Sequence, residues 1–82
     1  MDRDETFQKV VQIIKPFVKN QEALNGASEK TLLLDDLGVN SARLVDIVLE
    51  FEDQFGIEID DDAADRVQSI GDAVDVIQEK LQ

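Results

Sequence analysis

The sequence lacks cysteine and histidine altogether in its 82 residues. Without cysteine there is no disulfide and no thiolate metal site, so packing must stabilise a domain near the smallest size that one core supports. Without histidine, the usual general base and the commonest metal ligand are missing. A Gly-rich phosphate loop is also lacking. We therefore expect no enzyme and no catalytic residues, and thiol chemistry would need a group added to the chain.

Long apolar stretches are missing as well. No run of apolar residues approaches the roughly 20 that span a bilayer. The N-terminus, Met1-Asp2-Arg3-Asp4-Glu5, is too charged for a signal peptide. We expect a cytoplasmic protein with no membrane span, folded as a single domain over residues 1–82.

Negative charge is concentrated in the middle of the chain. The net charge is −11, and residues 35–65 carry eleven acidic residues against Arg43 as their one base. Such a field disfavours nucleic acid and attracts basic protein surfaces. A solvated acidic face kept for solubility is the plainer alternative. No stretch has the ligand spacing of an EF-hand loop, so no dedicated metal site is predicted.

Helical periodicity predicts three main helices and one short one. The first runs from Asp4 to about Asn20, with Pro16 kinking or weakening its last turn. The second begins at Asn40 or Ser41 and ends at Gly56. Its apolar residues follow i, i+3, i+4, i+7 and i+11: Leu44, Ile47, Val48, Phe51 and Phe55.

The later segments complete this picture. Acidic residues 60–65 predict the short helix, and Ser69 caps a last helix with one apolar stripe: Ile70, Ala73, Val74, Ile77 and Leu81. Residues 57–59 are not predicted to form a strand, because a lone strand has no partner. The leucines of the connection between the first and second helices are expected to be core residues of an ordered loop: Leu32, Leu33, Leu34 and Leu37. The fold class is therefore all-α, a small four-helix bundle.

Ser41 is the candidate functional residue. It lies at the start of the second helix, within the most acidic part of the chain. A plain helix cap would explain it. Because no histidine or cysteine is present to activate it, Ser41 is better interpreted as an attachment point than as a nucleophile.

Two segments around this serine resemble the acyl carrier protein family. They are Asp35-Asp36-Leu37-Gly38-Val39-Asn40-Ser41 and Phe51-Glu52-Asp53-Gln54-Phe55-Gly56-Ile57-Glu58-Ile59. The family pattern is an acidic residue, Leu-Gly, a variable residue and Asp-Ser-Leu, followed by an acidic amphipathic helix that ends near Glu-x-x-Phe. Ile70-Gly71-Asp72-Ala73-Val74 fits the last helix of the family, so the resemblance covers nearly the whole chain.

The resemblance implies a carrier of acyl-carrier fold, in fatty acid or lipid biosynthesis. A phosphopantetheinyl transferase would move 4′-phosphopantetheine from coenzyme A onto Ser41, making a phosphoprotein, and acyl groups would be held as thioesters on its thiol. A phosphodiester at Ser41 would lie near unpaired backbone N–H groups and the positive end of the helix dipole. The remaining partners would be acyl-loading and acyl-using enzymes with basic docking surfaces, and the carrier would be a monomer.

Two residues depart from the family pattern. Asn40 stands where the family has Asp, and Ala42 where it has Leu. The charge that helps engage a basic residue of the transferase is therefore lost, which indicates a specialised member that is modified slowly or by a dedicated transferase. A carrier for an amino acid and an acidic interaction module that is not modified at Ser41 stay open as alternatives.

The second helix also predicts a partner surface. Val45 and Leu49 lie off the core stripe and are expected to be partly exposed among Asp46, Glu50 and Asp53. An apolar pair ringed by acids suits docking into a basic, hydrophobic groove. The other residues assigned to this surface are Asp36, Asn40 and Ala42. The alternative is a helix buried over a wide arc.

An interior site for the cargo is a further expectation. Leu44, Ile47, Phe51 and Phe55 are expected among the core residues of a deformable interior that shelters part of an acyl chain. Such sheltering requires loose packing, which costs stability in a small domain.

Overall fold

Five α-helices form the computed structural model, which describes residues 2–82. They are α1 (Arg3–Ile14), α2 (Gln21–Asn25), α3 (Leu44–Phe55), α4 (Asp61–Asp65) and α5 (Ile70–Leu81). Two 3₁₀ turns, Lys15–Phe17 and Ser41–Arg43, precede α2 and α3. Within residues 2–82 no strand forms, and one isolated bridge pairs Leu32 with Ser69. The prediction of an all-α, small helical bundle without a strand at residues 57–59 is confirmed.

The core lies between α1, α3 and α5. The apolar stripes of these helices meet there, and Phe51 of α3 is the largest side chain that is fully buried. Other core side chains with no exposed surface are Val10, Ile14, Leu33, Leu37, Ile47, Ile70, Ala73, Val74 and Ile77. Leu81 is 40% exposed, so the apolar stripe of α5 ends before it, contrary to expectation. None of the helices in the described part of the chain is long and apolar enough to cross a membrane.

The first helix is shorter than predicted. α1 ends at Ile14, and Pro16 lies in the 3₁₀ turn that follows. Proline has no N–H to continue the α-helical hydrogen bonds, so the chain tightens there. Asn20, expected near the end of the same helix, instead begins α2 by accepting a hydrogen bond from the Ala23 amide. This short helix was not predicted from the sequence.

The leucines of the connection divide between the core and the surface. Leu33 and Leu37 are fully buried, whereas Leu32 is 37% and Leu34 41% exposed. The Leu33 amide donates to the carbonyl of Gln68 over 3.0 Å, which fixes the direction of the loop against the start of α5. The expectation that all four are core residues is therefore wrong for Leu32 and Leu34.

The predicted caps at the end of α3 and at the start of α5 are confirmed. Gly56 ends α3 with φ +66°, a left-handed conformation that glycine adopts without strain. Ser69 begins α5 with a capping box, in which its hydroxyl accepts from the Asp72 amide and the Asp72 carboxylate accepts from the Ser69 amide.

An exposed ion-pair network joins α1, the connection between α2 and α3, and α5. Arg3 of α1 donates to Glu29 in the connection, with 3.0 Å between Nε and Oε2, and to Asp75 of α5 over 2.8 Å. The hydrogen bond from Arg3 holds the pKa of Glu29 below its ordinary value. The network therefore favours the ionised form of Glu29 in the folded chain.

This network predicts a pH-dependent difference between the native chain and Glu29→Gln. A lowered folded-state pKa stabilises the protein above the ordinary glutamate pKa of about 4.3, and this contribution is lost as the pH falls through the folded-state value. We expect native Tm to exceed that of Glu29→Gln at pH 7 and the two to converge near pH 3. Glu22→Gln, at an exposed glutamate without an ion pair among residues 2–82, is the control. A Tm difference that persists unchanged at pH 3 would contradict the prediction.

Candidate functional site

Ser41 is the first residue of the 3₁₀ turn that leads into α3. Asn40 fixes this turn, because its side chain accepts from the Ala42 amide over 2.9 Å and its carbonyl from the Arg43 amide over 2.8 Å. Asn40, one of the two predicted caps, is thus the residue that caps the start of the helix. The Ser41 side chain is exposed, and its hydroxyl forms no hydrogen bond with any residue of the described chain.

The other two serines of the sequence are engaged in local structure. The Ser69 hydroxyl accepts from the Asp72 amide over 3.0 Å, and the Ser28 hydroxyl accepts from the Lys30 amide over 3.2 Å. Ser28 forms a turn and does not cap a helix. Among the three serines, Ser41 alone presents a hydroxyl without such a hydrogen bond.

The backbone amides next to Ser41 are less available than expected. Unpaired N–H groups were expected near a phosphodiester at Ser41. The amides of Ala42 and Arg43, however, already donate to Asn40. The reason is that the turn is 3₁₀ and is closed by an asparagine cap. The positive end of the α3 dipole also favours an anion at Ser41.

An apolar groove of about 560 Å³ runs along α3 from the turn of the site. Its main apolar lining comes from α3, the connection and the region of α4: Leu32, Leu34, Leu44, Val45, Val48, Leu49, Ile59, Ala64 and Val67. Leu44 and Val45 directly follow the 3₁₀ turn, so one part of the groove wall lies next to Ser41 in the chain. The volume falls within the range typical of small-molecule sites.

The groove differs in most of its lining from the expected interior site. Ile47 and Phe51 are fully buried and do not line the groove, and Phe55 does not line it either. Of the four residues proposed for the interior, Leu44 alone belongs to the groove wall. The exposure of Leu32 and Leu34 opens this space, and periodicity could not reveal it because it depends on how the loop lies against α3.

Glu52 forms part of the groove wall and holds the following loop. Its Oε2 accepts from the Ile59 amide over 2.6 Å, so the segment after Gly56 is fastened back to α3. Residues 2–82 contain no group of three or more acidic side chains arranged to hold a metal ion.

The outer face of α3 has the exposure that the sequence predicted. Val45 is 66% and Leu49 55% exposed, and the alternative of a helix buried over a wide arc is wrong. Glu50 and Asp53 are exposed beside them, and Asp46 is partly exposed.

The other residues assigned to the partner surface are also exposed. They are Asp36, Asn40 and Ala42. Asp36 has a structural task as well, since its carboxylate accepts from the Leu32 amide over 2.8 Å.

One basic side chain lies on this acidic surface. Arg43 donates from Nη1 to Asp46 Oδ2 over 3.0 Å, and both side chains remain largely open to solvent. The sequence analysis noted Arg43 as the lone base of residues 35–65 but assigned it no role.

A helical bundle that presents one free serine hydroxyl before an acidic helix is typical of a carrier domain. Residues 8–77 match the family described as "Phosphopantetheine attachment site". The chain is 39% identical over 79 residues to the acyl carrier protein of Thermotoga maritima, covering 96% of this chain and 95% of that protein. It is 52% identical over 54 residues to that of Phenylobacterium zucineum, covering 66% and 68% respectively.

A solved structure of the acyl carrier protein from Enterococcus faecalis is also similar. It has a TM-score of 0.78 and 35% sequence identity, covering 98% of this chain and 99% of that one. The chain therefore belongs to the acyl carrier protein family. It has a carrier role with covalently attached 4′-phosphopantetheine as its cofactor, and its relatives are carriers, not catalysts.

Proposed function

We propose that Ser41 is the residue that holds the 4′-phosphopantetheine. The observation that carries this assignment is its exposed hydroxyl, free of hydrogen bonds within residues 2–82, on the turn before α3. Asn40 keeps the turn in place without using that hydroxyl. The positive end of the twelve-residue α3 is suited to the added negative charge.

The cargo in this proposal is an acyl group. When bound, the cofactor supplies a terminal thiol on which carboxylates are held as thioesters. Leu44, three residues after Ser41 in the chain, is part of the wall of the groove along α3, which has a suitable size for part of an acyl chain. The nine apolar side chains of the lining suit an aliphatic cargo, whereas the carboxylates of Asp35, Glu52, Asp61 and Asp65 in the same lining would suit the amino group of the amino acid kept as an alternative.

The partners in this proposal are a phosphopantetheinyl transferase and enzymes that load or use acyl groups. Val45 and Leu49, with the acidic residues around them, would dock into basic, hydrophobic grooves of these proteins. We further propose that residues 1–82 act as a single carrier domain, monomeric and cytoplasmic, in fatty acid or lipid biosynthesis.

Intact mass spectrometry tests the proposal. The chain is incubated with coenzyme A, magnesium and a broad-specificity phosphopantetheinyl transferase, with a known carrier in the same tube. A gain of one phosphopantetheine is expected. No gain while the known carrier is modified would contradict the proposal for this transferase, and would favour a dedicated transferase or an interaction module not modified at Ser41.

Leu49→Ala separates docking from stability. Because Leu49 is 55% exposed, we expect the free energy of unfolding to change by less than about 1 kcal/mol. The KM of the same transferase should rise about tenfold, as for an apolar residue at the centre of an interface. Urea titration and steady-state kinetics measure the two effects.

Leu37→Ala is the matched control for Leu49→Ala. Leu37 is fully buried, so the same truncation should cost about 2–5 kcal/mol of unfolding free energy. For the fraction that stays folded, KM should be unchanged. An unaltered KM for Leu49→Ala would exclude this residue from the docking surface.

A further inference from the structure

Arg43 is a basic residue within the acidic surface and lies close to Ser41 in the chain. It is the one base among residues 35–65 and lies two residues after Ser41, in the turn that precedes α3. Its side chain is 63% exposed and forms an ion pair with Asp46 at 3.0 Å. A partner that docks over the start of α3 therefore meets an ion pair, whereas Glu50 and Asp53 lie further along the helix.

The ion pair also changes what Asp46 presents to a partner. Paired with Arg43, the Asp46 carboxylate gives the first turn of α3 little net charge. Glu50 and Asp53, one and two turns further on, are exposed and have no basic neighbour within bonding distance in residues 2–82. The surface is thus divided into the start of α3, which has almost no net charge, and a later part that stays acidic.

We infer that Arg43 is a specificity-determining residue of this carrier. By neutralising Asp46 it removes the attraction for a basic side chain opposite the first turn of α3, and it favours protein partners that place their bases only opposite Glu50 and Asp53. Complementary charge at an interface is a common means of selecting partners. The inference rests on the proposed docking along α3 but does not require that Ser41 be modified.

Competition for a transferase of basic docking surface tests this inference apart from modification. All chains carry Ser41→Ala, so they cannot accept phosphopantetheine, and each is used to inhibit modification of a reference carrier. Arg43→Gln should lower the inhibition constant about fivefold at low salt. The gain should shrink towards nothing at about 0.5 M salt, because exposed charges are screened there.

Two further variants show how Arg43 acts. Asp46→Asn should weaken binding by at least threefold in the Arg43→Gln chain, where Asp46 is unpaired, and the double variant should bind within twofold of the chain that has both residues, because neither has net charge at this position. Arg66→Gln removes another exposed arginine, 54% against 63% for Arg43, which pairs with Glu79 of α5 at 2.9 Å and lies outside α3. It should leave the constant within twofold while changing the net charge by the same amount.

The outcomes are distinct from those of the modification experiment. Equal inhibition with and without Arg43, including no inhibition by either chain, would overturn the inference. An equal gain from Arg66→Gln would also overturn it, since net charge and not position would then be responsible. A native chain that gains no phosphopantetheine would count against Ser41 and leave the result for Arg43 standing.

Discussion

Ser41→Ala is expected to abolish the mass gain completely when the chain is incubated with coenzyme A and a transferase. The Ser41 hydroxyl is the exposed one that is free of hydrogen bonds in the described chain, and its removal leaves no oxygen for the phosphodiester. The side chain is exposed and Asn40, not Ser41, caps the turn. The free energy of unfolding should therefore change by less than about 0.5 kcal/mol.

Ser28→Ala is the matched control for this loss. Ser28 is exposed too, but its hydroxyl accepts from the Lys30 amide in a turn far from α3 in the chain. The Ser28→Ala chain should gain one phosphopantetheine like the native chain. Ser69 is less suitable, because its loss removes the cap of α5, at a cost of about 1 kcal/mol. A residual mass gain in Ser41→Ala would show that a different residue holds the cofactor.

Gly71→Ala should produce the largest loss of stability among single-methyl additions to this chain. A Cβ at Gly71 would lie 2.8 Å from the carbonyl oxygen of Glu29 and 2.9 Å from its Cβ. The Gly71 amide donates to the same carbonyl over 2.8 Å, so the two backbones cannot separate without losing this bond. We expect a cost of about 3 kcal/mol, as for severe overpacking.

Gly26→Ala is the control for this substitution. Nothing lies within 4 Å of a Cβ at Gly26, and its φ of −103° suits any residue. The change should be neutral or stabilise by up to about 1 kcal/mol through the unfolded state. Urea unfolding measures both variants. Because a domain of this size is stable by only about 5–10 kcal/mol, the loss at Gly71 should be plain in the transition midpoint, and equal midpoints would disprove the close approach.

A substitution at Gly71 should also affect the functional site, through the connection between α2 and α3. The Ile70 amide donates to the Thr31 carbonyl and the Leu33 amide to the Gln68 carbonyl, so residues 29–33 are held along the start of α5. Leu32 and Leu34, which line the groove, belong to or follow this segment. Gly71→Ala should therefore disturb the groove as well as the core.

Local patterns in the sequence were sufficient for most helices and for the candidate site. Helix geometry brings together side chains three or four residues apart. The apolar stripe of α3 and the caps at Gly56 and Ser69 could therefore be predicted from neighbouring residues. The exposure of Val45 and Leu49 follows from the same geometry. Ser41 was singled out because no residue nearby could use it in catalysis.

The end of the first helix was predicted wrongly, and the groove was not predicted. The end of α1 at Ile14 and the short α2 reflect competition between a proline turn and a new cap at Asn20, which periodicity cannot weigh. The groove depends on the exposed sides of Leu32 and Leu34, which periodicity does not give.

The sequence by itself determined a small acidic helical domain with a serine before an amphipathic helix, because charge, absent residue types and helical period are local properties. The carrier role followed from its resemblance to the acyl carrier protein family. The tertiary structure alone decided where the groove lies and that Gly71 touches Glu29. These features depend on the path of residues 26–40 between α2 and α3. That path is set by backbone hydrogen bonds to residues far away in the chain, which have no periodic signature.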